Sequence, residues 1–520
     1  MKQVKHLNIL PPTFLLAMSA LLSSILGVIR DHLLAKTFGA TSGAGIYNLD
    51  AYYAAFRIPD LLYLILVLGA ISAAFIPIFT QYKKEGKLAA AWEFASSMLH
   101  LMLLAVAGVA LVAFIFAPQL ALLVAKGFEP EAFELTVRLM RIMLLSPILF
   151  AVSSVFVSLQ DSFKSFFYRS LAPLAYNLGI ILAIVFYGTE FGVMGVTWGV
   201  VGGALLMLLV QLPALPQIGY RHVWILGYGR DDVRKAFRLM IPRVMAMSMY
   251  QISQIIYTLI ASFLATGSIT VMYFANNLYS LPLAIIAMSF SITSFATLSE
   301  LAIEKSTEPF TTEIKRVMQQ VLFLVFPATV GVLLLREEII NAILLSGKFT
   351  AQDAALTSQV LLFMIVSLFT HSLILLLTRG FYAYHNTKTP FYASLVGAVA
   401  GIGTAYLLAI RLGYGVLGIG VAISVSNVLT FLILHILLQK QVGRRLLDLL
   451  NVGKMLVASF LMGGIVYVAK LYLAFPEELI AKLVYLVTLS VLGAASYFVL
   501  VFFLKIPERE MVMKQLRRMK

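Results

Sequence analysis

The chain has 520 residues, of which 61% are hydrophobic and only 12% are charged. This small number of charged side chains cannot cover the surface of a soluble globule of this size. The composition therefore excludes a soluble protein and predicts an all-α integral membrane protein. The formal net charge is +15, but the basic residues fall in short breaks between apolar runs, which argues against nucleic-acid binding, and the absence of cysteine excludes disulfides and thiolate metal sites.

Apolar runs of about 20 residues, long enough to cross a bilayer, recur along the whole chain. The first run predicts an uncleaved helix rather than a signal peptide, because "AMSA" is a poor cleavage site and similar segments follow it. The loops between the runs are too short to form a soluble domain. We predict about fourteen spans, centred near residues 22, 64, 105, 147, 177, 206, 250, 284, 325, 368, 398, 428, 462 and 492.

The basic loops predict the orientation through the positive-inside rule. If Lys2 and Lys5 are cytoplasmic, then 81–87, 230–238 and the C-terminal "KQLRRMK" at 514–520 fall on the same side. An even number of spans with both termini in the cytoplasm is therefore expected.

An internal repeat predicts the domain organisation. "GVMGVTWGVVGGALLMLL" from residue 192 resembles "GVLGIGVAISVSNVLTFL" from residue 415, and the same offset of 223 residues carries Pro59 onto Pro282. Both prolines are expected to kink their helices. The predicted plan is two parallel six-helix lobes, 1–220 and 221–445, followed by helices 13 and 14 with a basic cytoplasmic tail, 446–520.

Two arginine–aspartate pairs interrupt the first two apolar helices: Arg30 with Asp31, and Arg57 with Asp60. An arginine in mid-membrane costs about 2.5 to 3.5 kcal/mol, so each must face a wet cavity or a partner. One hypothesis is an anion clamp, in which Arg30 and Arg57 lie at similar depth and Asp60 is the local counter-charge of Arg57. The alternative is that these residues form structural ion pairs between the helices or extend to the outer interface.

Other polar residues in the apolar runs favour simpler interpretations. Arg138, Arg141, Arg243 and Arg379 lie near helix ends, where contact with lipid headgroups is expected. His371 lies in mid-helix and is predicted to be a hydrogen-bonded core histidine rather than a proton relay.

Sequence motifs for catalysis are mostly absent. There is no Walker sequence, no metal-spaced cluster of His, Asp and Glu, and only scattered acids in the outer loops. The sequence therefore predicts a transporter that is not an enzyme and does not hydrolyse ATP, with no bound cofactor or metal.

Five segments together resemble the MurJ-type lipid II flippases of the multidrug/oligosaccharidyl-lipid/polysaccharide exporter superfamily. They are "SSILGVIRDHLLAKTFGA", "DAYYAAFRIPDLL", "GAISAAFIPIFTQY", "FANNLYSLPLAI" and "RGFYAYHNTKTP". The resemblance implies movement of undecaprenyl-pyrophosphate-linked disaccharide pentapeptide, lipid II, from the inner to the outer leaflet of the bacterial cytoplasmic membrane. It also implies alternating access driven by an ion or the membrane potential, with the bilayer and other cell-wall synthesis proteins as partners and no nucleic acid.

The resemblance assigns cavity residues by position. Arg30 and Asp31 match the family's first-helix pair, Asp50 matches an acidic position before the second-helix motif, and Arg57 matches a basic position within it. Asn276 and Asn277 stand where the family has an Asp-Arg pair, and we predict that both contact substrate; the alternative is that they form hydrogen bonds between helices of the two lobes.

Several family charges are missing from this chain. Ser24, Tyr63, Leu64 and Leu68 are uncharged where the family often carries arginine or an acid. The cavity is therefore expected to be less cationic. A flippase for another polyprenyl-linked oligosaccharide, a drug or metabolite exporter of the same superfamily, and a non-transporting scaffold remain as alternatives.

Overall fold

The structure is a computed structural model that describes residues 12–42, 45–65, 71–304 and 307–510. Every regular element in these ranges is helical. The polypeptide forms two units: the first holds the described residues up to Thr270 together with Ser346–Thr350, and the second holds Val271–Leu345 and the described residues from Ala351 onward.

The first unit contains ten α-helices and a short 3-10 helix, Gly45–Tyr47. The helices are α1 (Pro12–Phe38), α2 (Leu49–Tyr63), α3 (Ile71–Lys84), α4 (Leu88–Ile115), α5 (Ala117–Ala125), α6 (Pro130–Met143), α7 (Leu145–Ser162), α8 (Phe167–Leu209), α9 (Ala214–Gln217) and α10 (Asp231–Ser262). Residues 346–350 join this unit because the backbone N–H of Lys348 donates to the Lys36 carbonyl at 2.9 Å.

The second unit contains most of α11, which begins at Ser268, and all the helices that follow. These are α11 (Ser268–Pro282), α12 (Ser289–Ile303), α13 (Thr307–Ile343), α14 (Ala351–Ile365), α15 (Leu368–Ala383), α16 (Lys388–Ala405), α17 (Val416–Val442), α18 (Leu449–Tyr472) and α19 (Leu479–Phe503). Two π-helical turns, Leu283–Met288 and Tyr406–Arg411, follow α11 and α16.

Ten helical segments of the described chain are long and apolar enough to cross a membrane, and an eleventh is the α14–α15 pair, bent by 46°. The predicted all-α membrane protein is therefore confirmed. The predicted fourteen spans exceed this number and remain a prediction.

Aromatic side chains fill the core of the first unit where α3, α4 and α7 meet. Phe75 and Phe79 stack with ring centroids 5.5 Å apart, and Trp92 stacks on Phe163 at 5.8 Å. Offset stacking of this kind adds to the burial of large apolar surfaces, so this cluster holds the three helices together.

Helix α8 is folded back on itself at Gly192, where φ is +61° and ψ is −148°. A Cβ placed on Gly199 would lie 2.1 Å from the Cβ of Ala183, and one on Gly203 would lie 2.6 Å from the Tyr176 carbonyl oxygen. Such close approach of the two halves requires glycine at these positions. The first and second halves of α8 are thus two antiparallel helices.

The second unit has a matching turn at Gly415, with φ +57° and ψ −142° at the start of α17. Gly192 and Gly415 are the two positions that the sequence repeat aligned at an offset of 223 residues. Their shared backbone conformation is one that only glycine adopts readily, which explains why the residue occurs in both copies.

Replacing Gly192 by alanine is expected to destabilise the protein by about 2 kcal/mol or more, because the conformation is strained for any other residue. A Cβ there would also lie 2.2 Å from the Ile46 carbonyl oxygen. The matched control is Gly202→Ala on the same hairpin, where a Cβ meets no atom within 4 Å. Thermal unfolding of the purified variants should separate the two. Equal melting temperatures would contradict the assigned turn.

Candidate functional site

Arg30 lies in α1, eight residues before the helix ends at Phe38 and thus about 12 Å along the axis from that end. Its Nε and Nη2 donate to Asp31 Oδ1 at 3.1 and 2.9 Å, and its Nη1 donates to Asn177 Oδ1 at 3.2 Å. The Arg30 side chain is 18% exposed and that of Asp31 is 10% exposed. The guanidinium group is therefore held in one orientation while part of it stays accessible.

Asn177 fixes this arrangement from α8. Its Nδ2 donates to Ser23 Oγ and to the Pro173 carbonyl, each at 3.2 Å, which turns its Oδ1 toward Arg30. Asn177 was not among the predicted site residues. Its only signal in the sequence was a single amide in the apolar run "LAPLAYNLGII".

Arg57 lies in α2, eight residues after the helix begins at Leu49, again about 12 Å from that helix end. Its Nε donates to Thr258 Oγ1 of α10 at 2.9 Å. Thr258 in turn donates to the Gln254 carbonyl at 2.8 Å, which leaves its oxygen as the acceptor for Arg57. Thr258 is a second site residue that the sequence did not reveal.

Asp60 lies one turn after Arg57. Among the ion pairs that the described residues form, none joins these two side chains. The charges of both Arg57 and Arg30 nevertheless act on the Asp60 carboxylate, with Arg57 having the larger effect. Arg30, Asp31, Arg57 and Asp60 therefore share one electrostatic neighbourhood in the first unit, which we call the arginine site.

Two prolines were predicted to kink their helices. Pro59 is buried inside α2, and residues 64 and 65 after it are π-helical. Pro282 is the last residue of α11 and is followed directly by the π-helical turn Leu283–Met288. A π-turn is one of the usual causes of a kink, so both sites break regular α-helical hydrogen bonding.

Asp50, a predicted substrate contact, accepts hydrogen bonds from the start of α11. Its Oδ2 accepts from the Gly267 N–H at 2.7 Å, and its Oδ1 accepts from the N–H and the hydroxyl of Thr270 at 2.8 and 2.6 Å. The residue is 3% exposed. Because the carboxylate is buried and satisfied at the N-terminus of α11, it caps that helix. The predicted contact of Asp50 with substrate stays a prediction.

Removing this cap with Asp50→Ala should lower the free energy of unfolding by about 2 to 4 kcal/mol, because buried donors lose a charged acceptor. Asp231→Ala is the control, since Asp231 is an exposed acid in the first turn of α10. Thermal unfolding in detergent measures both. The cap assignment is wrong if Asp50→Ala and the control variant have the same melting temperature.

Asn276 and Asn277 lie in α11 within the second unit, and both are partly buried. The Asn276 carbonyl accepts from Ser280 Oγ at 2.7 Å, an ordinary helical contact that leaves its side chain uncommitted. The structure thus brings four predicted site residues together in the first unit and places the two asparagines in the second.

The remaining intramembrane arginines have local partners. Arg138 pairs with Glu134 at 3.2 Å, Arg141 lies 5.3 Å from the centre of the Phe114 ring, and Arg379 lies 5.7 Å from the Phe295 ring. The side chain of Arg243 lies outside the described residues, as do Lys2, Lys5, Leu68 and the C-terminal basic tail.

The predicted hydrogen bonding of His371 is confirmed, because its Nδ1 lies 2.9 Å from the hydroxyl of Tyr279. Within the described ranges, no three His, Asp or Glu side chains gather closely enough to hold a metal ion.

A family model described as "Lipid II flippase MurJ" matches residues 34–487. The chain belongs to the MurJ family. A probable lipid II flippase MurJ from Thermotoga maritima is 30% identical over 454 residues, which cover 87% of this chain and 89% of the relative. A lipid II flippase MurJ from Burkholderia cenocepacia is 28% identical and covers 79% of this chain and 81% of its own length.

Solved structures agree with the family at the level of the fold. An inward-closed lipid II flippase MurJ superposes with a TM-score of 0.76 at 24% identity, covering 96% of this chain and 100% of that one. An inward-facing MATE-family multidrug transporter of the MOP superfamily gives 0.69 at 13% identity, covering 84% and 98%. MurJ membership confirms the prediction of a transporter rather than an enzyme, and makes the chain a multi-pass protein of the bacterial inner membrane.

Proposed function

We propose that this MurJ-family protein moves lipid II, the undecaprenyl-pyrophosphate-linked disaccharide pentapeptide, from the inner to the outer leaflet for cell-wall synthesis. The observation that carries the proposal in this chain is the fixed, partly exposed guanidinium group of Arg30 inside the membrane-spanning part of the first unit. An arginine held in this way binds phosphate oxygens with two N–H groups and keeps its charge when water is excluded.

Arg57 supplies the second cation of the arginine site. Arg30 and Arg57 lie at similar distances from the ends of α1 and α2, and both act on Asp60. In the empty protein, the carboxylates of Asp31 and Asp60 offset the positive charge. When pyrophosphate binds, its negative charge takes over that role.

The site depends on few cations. Ser24 donates to the Ala20 carbonyl at 2.9 Å, and the ring of Tyr63 packs against Phe150 with centroids 4.7 Å apart. Neither side chain carries charge, so each remaining arginine bears a larger share of anion binding than in relatives with more cavity arginines.

We propose that the chain crosses the membrane fourteen times, with both termini in the cytoplasm. The fold at Gly192 supports two crossings within α8, and α10 is 32 residues long, enough for one more. Helices α2 and α3 supply the remaining crossing. Lobes at 1–220 and 221–445, with 446–520 appended, follow the sequence repeat rather than the division into units at Thr270.

A second repeated feature supports the duplicated frame. Lys164 and His385 both have positive φ, +56° and +55°. Each lies in the same helix-ending turn, closed by Ser165 N–H to the Gln160 carbonyl at 2.9 Å and by Asn386 N–H to the Phe381 carbonyl at 3.0 Å. Alternating access of two such lobes would be driven by the membrane potential or a cation.

The proposal is tested by rescue of a bacterial cell depleted of its own lipid II flippase. Expression of this protein should restore growth and normal cell shape. If a protein present in the membrane at normal abundance fails to rescue, lipid II is not its substrate, and a flippase for another polyprenyl-linked oligosaccharide becomes the better assignment.

A further inference from the structure

A hydrogen-bonded group of uncharged side chains lies in the second unit, at the bend between α14 and α15. Asn427 Nδ2 donates to the Tyr279 hydroxyl at 3.2 Å and to Ser367 Oγ at 3.0 Å. The same Tyr279 hydroxyl lies 2.9 Å from His371 Nδ1, and the two rings stack with centroids 5.8 Å apart. We call Tyr279, Ser367, His371 and Asn427 the neutral cluster.

Two members of the neutral cluster are buried and two are partly exposed. Tyr279 is 2% exposed and Ser367 is fully buried, whereas His371 and Asn427 are only partly buried. Asn427 uses its amide hydrogens on protein acceptors, which leaves its Oδ1 available as an acceptor. Neither Asn427 Oδ1 nor His371 Nε2 has a hydrogen-bond partner among the described residues. Because both residues are partly exposed, these two atoms are the groups of the cluster through which water or a ligand could be bound.

These open atoms lie at mid-membrane depth. Asn427 is eleven residues into α17, about 17 Å along its axis, and His371 is twelve residues from the end of α15, about 18 Å. The apolar core of a bilayer is about 30 Å thick, so both would lie near its middle. Open polar groups at that depth are costly against lipid tails and are stable against water or a polar ligand.

The amide of Asn276 lies on the same side of α11 as Tyr279. It lies one turn before Tyr279 on α11, is partly buried, and has no side-chain partner among the described residues. The face then presents an amide, an amide oxygen and an imidazole nitrogen. In the arrangement where Tyr279 accepts from Asn427 and donates to His371, the imidazole Nε2 carries a proton. Donors and acceptors are both present, and no member has a permanent charge.

We propose that Asn427 Oδ1, His371 Nε2 and the Asn276 amide bind the uncharged sugar part of the lipid-linked substrate. Hydroxyl and N-acetyl groups each offer both a donor and an acceptor, which this face can satisfy. Pyrophosphate would find no cation here. The inference rests on the proposed function and deepens it, because it assigns recognition of the sugar to side chains of the second unit.

The test compares two ligands that share the lipid tail and the pyrophosphate but differ in the sugar: lipid II and undecaprenyl pyrophosphate. Binding is measured on the purified full-length protein in lipid nanodiscs. Asn427→Ala and His371→Ala should each weaken lipid II binding about three- to tenfold and leave undecaprenyl pyrophosphate binding unchanged. Tyr279→Phe keeps the ring and removes the hydroxyl that positions Asn427 and His371, so it should also weaken lipid II binding.

The matched control is His435→Ala. His435 lies on the same helix as Asn427 but stacks on Phe431 with centroids 5.5 Å apart, so neither ligand should be affected. If Asn427→Ala does not fold, Asn427→Ser, which keeps a small hydrogen-bonding side chain, is measured in its place. If the variants weaken the binding of both ligands equally, or of neither ligand, the carbohydrate site is overturned. Lipid II binding by the unaltered protein would then still support the proposed function. If the unaltered protein does not bind lipid II, the proposed function and the site fail together.

Discussion

Replacing Arg30 and its partner together, as Arg30→Ala/Asp31→Asn, should abolish rescue of a flippase-depleted cell without lowering the abundance of the protein in the membrane. The double change is preferable because Arg30→Ala alone would leave the Asp31 carboxylate, 10% exposed, without its counter-charge. Loss of one charged hydrogen-bonding contact with pyrophosphate should weaken lipid II binding about 10- to 100-fold. Growth complementation and quantitative immunoblotting of membranes measure the two quantities.

Three control variants make this result specific. Asp31→Asn alone keeps the cation and should retain most activity, whereas Arg30→Lys keeps the charge but loses the planar fork and should be intermediate. Arg138→Ala removes an arginine whose partner, Glu134, is 69% exposed, and should behave as the unaltered protein. Arg57→Ala should resemble the double variant. If both arginine variants still rescue, the arginine site does not bind substrate.

Breaking the ion pair between Glu338 and Lys470 should cause the largest loss of stability in the second unit. Lys470 Nζ lies 2.5 Å from Glu338 Oε1 and also donates to the Leu334 carbonyl at 3.3 Å, which ties α18 to α13. The Glu338 side chain is 9% exposed. Glu338→Ala leaves Lys470, whose side chain is 28% exposed, without its counter-charge and should cost about 2 kcal/mol in thermal or denaturant unfolding.

The pair itself can be replaced. Glu338→Gln/Lys470→Met removes both charges and should recover most of the lost stability, because neither residue is left as an unpaired ion. Glu308→Ala is the control, since it breaks a pair with Arg444 in which both side chains are more than half exposed, and should cost about 1 kcal/mol or less. If Glu338→Ala were no worse than this control, the pair would not hold α18 in place.

Charged residues in apolar helices made much of the arginine site predictable. Arg30, Asp31, Arg57 and Asp60 stand out because each is costly in lipid, and the helical rise alone placed the two arginines at similar depth. Their neutral partners were not predictable. Asn177 and Thr258 are ordinary members of apolar runs, and their contacts with the arginines bridge 147 and 201 residues of chain.

Asp50 illustrates how tertiary contacts change the meaning of a residue. In the sequence it is an acid beside a family motif, and the resemblance implied a substrate contact. The groups that donate hydrogen bonds to it, the N–H groups of Gly267 and Thr270, lie 217 and 220 residues further along the chain. No local pattern around Asp50 contains that information.

Glycine carried more structural information than the apolar pattern did. The repeat placed Gly192 and Gly415 in register, and both have the same glycine-specific backbone conformation. The number of spans is less evident from helix length and hydropathy, because the two halves of α8 are separated only by the short segment "YGTEFG" at 187–192 and because α10 is less apolar than its neighbours. Hydropathy alone separates such segments poorly.

The most direct test of the account measures lipid II movement by the purified protein in vesicles. Fluorescent lipid II is placed in one leaflet, and its arrival in the other leaflet is followed with a membrane-impermeant quencher under an imposed membrane potential. For the unaltered chain and for Arg138→Ala, we expect lipid II transfer at a rate well above that of protein-free vesicles. For Arg30→Ala/Asp31→Asn, we expect the rate of protein-free vesicles. Transfer by the unaltered chain at the protein-free rate, or equal transfer by the Arg30 variant, would contradict it.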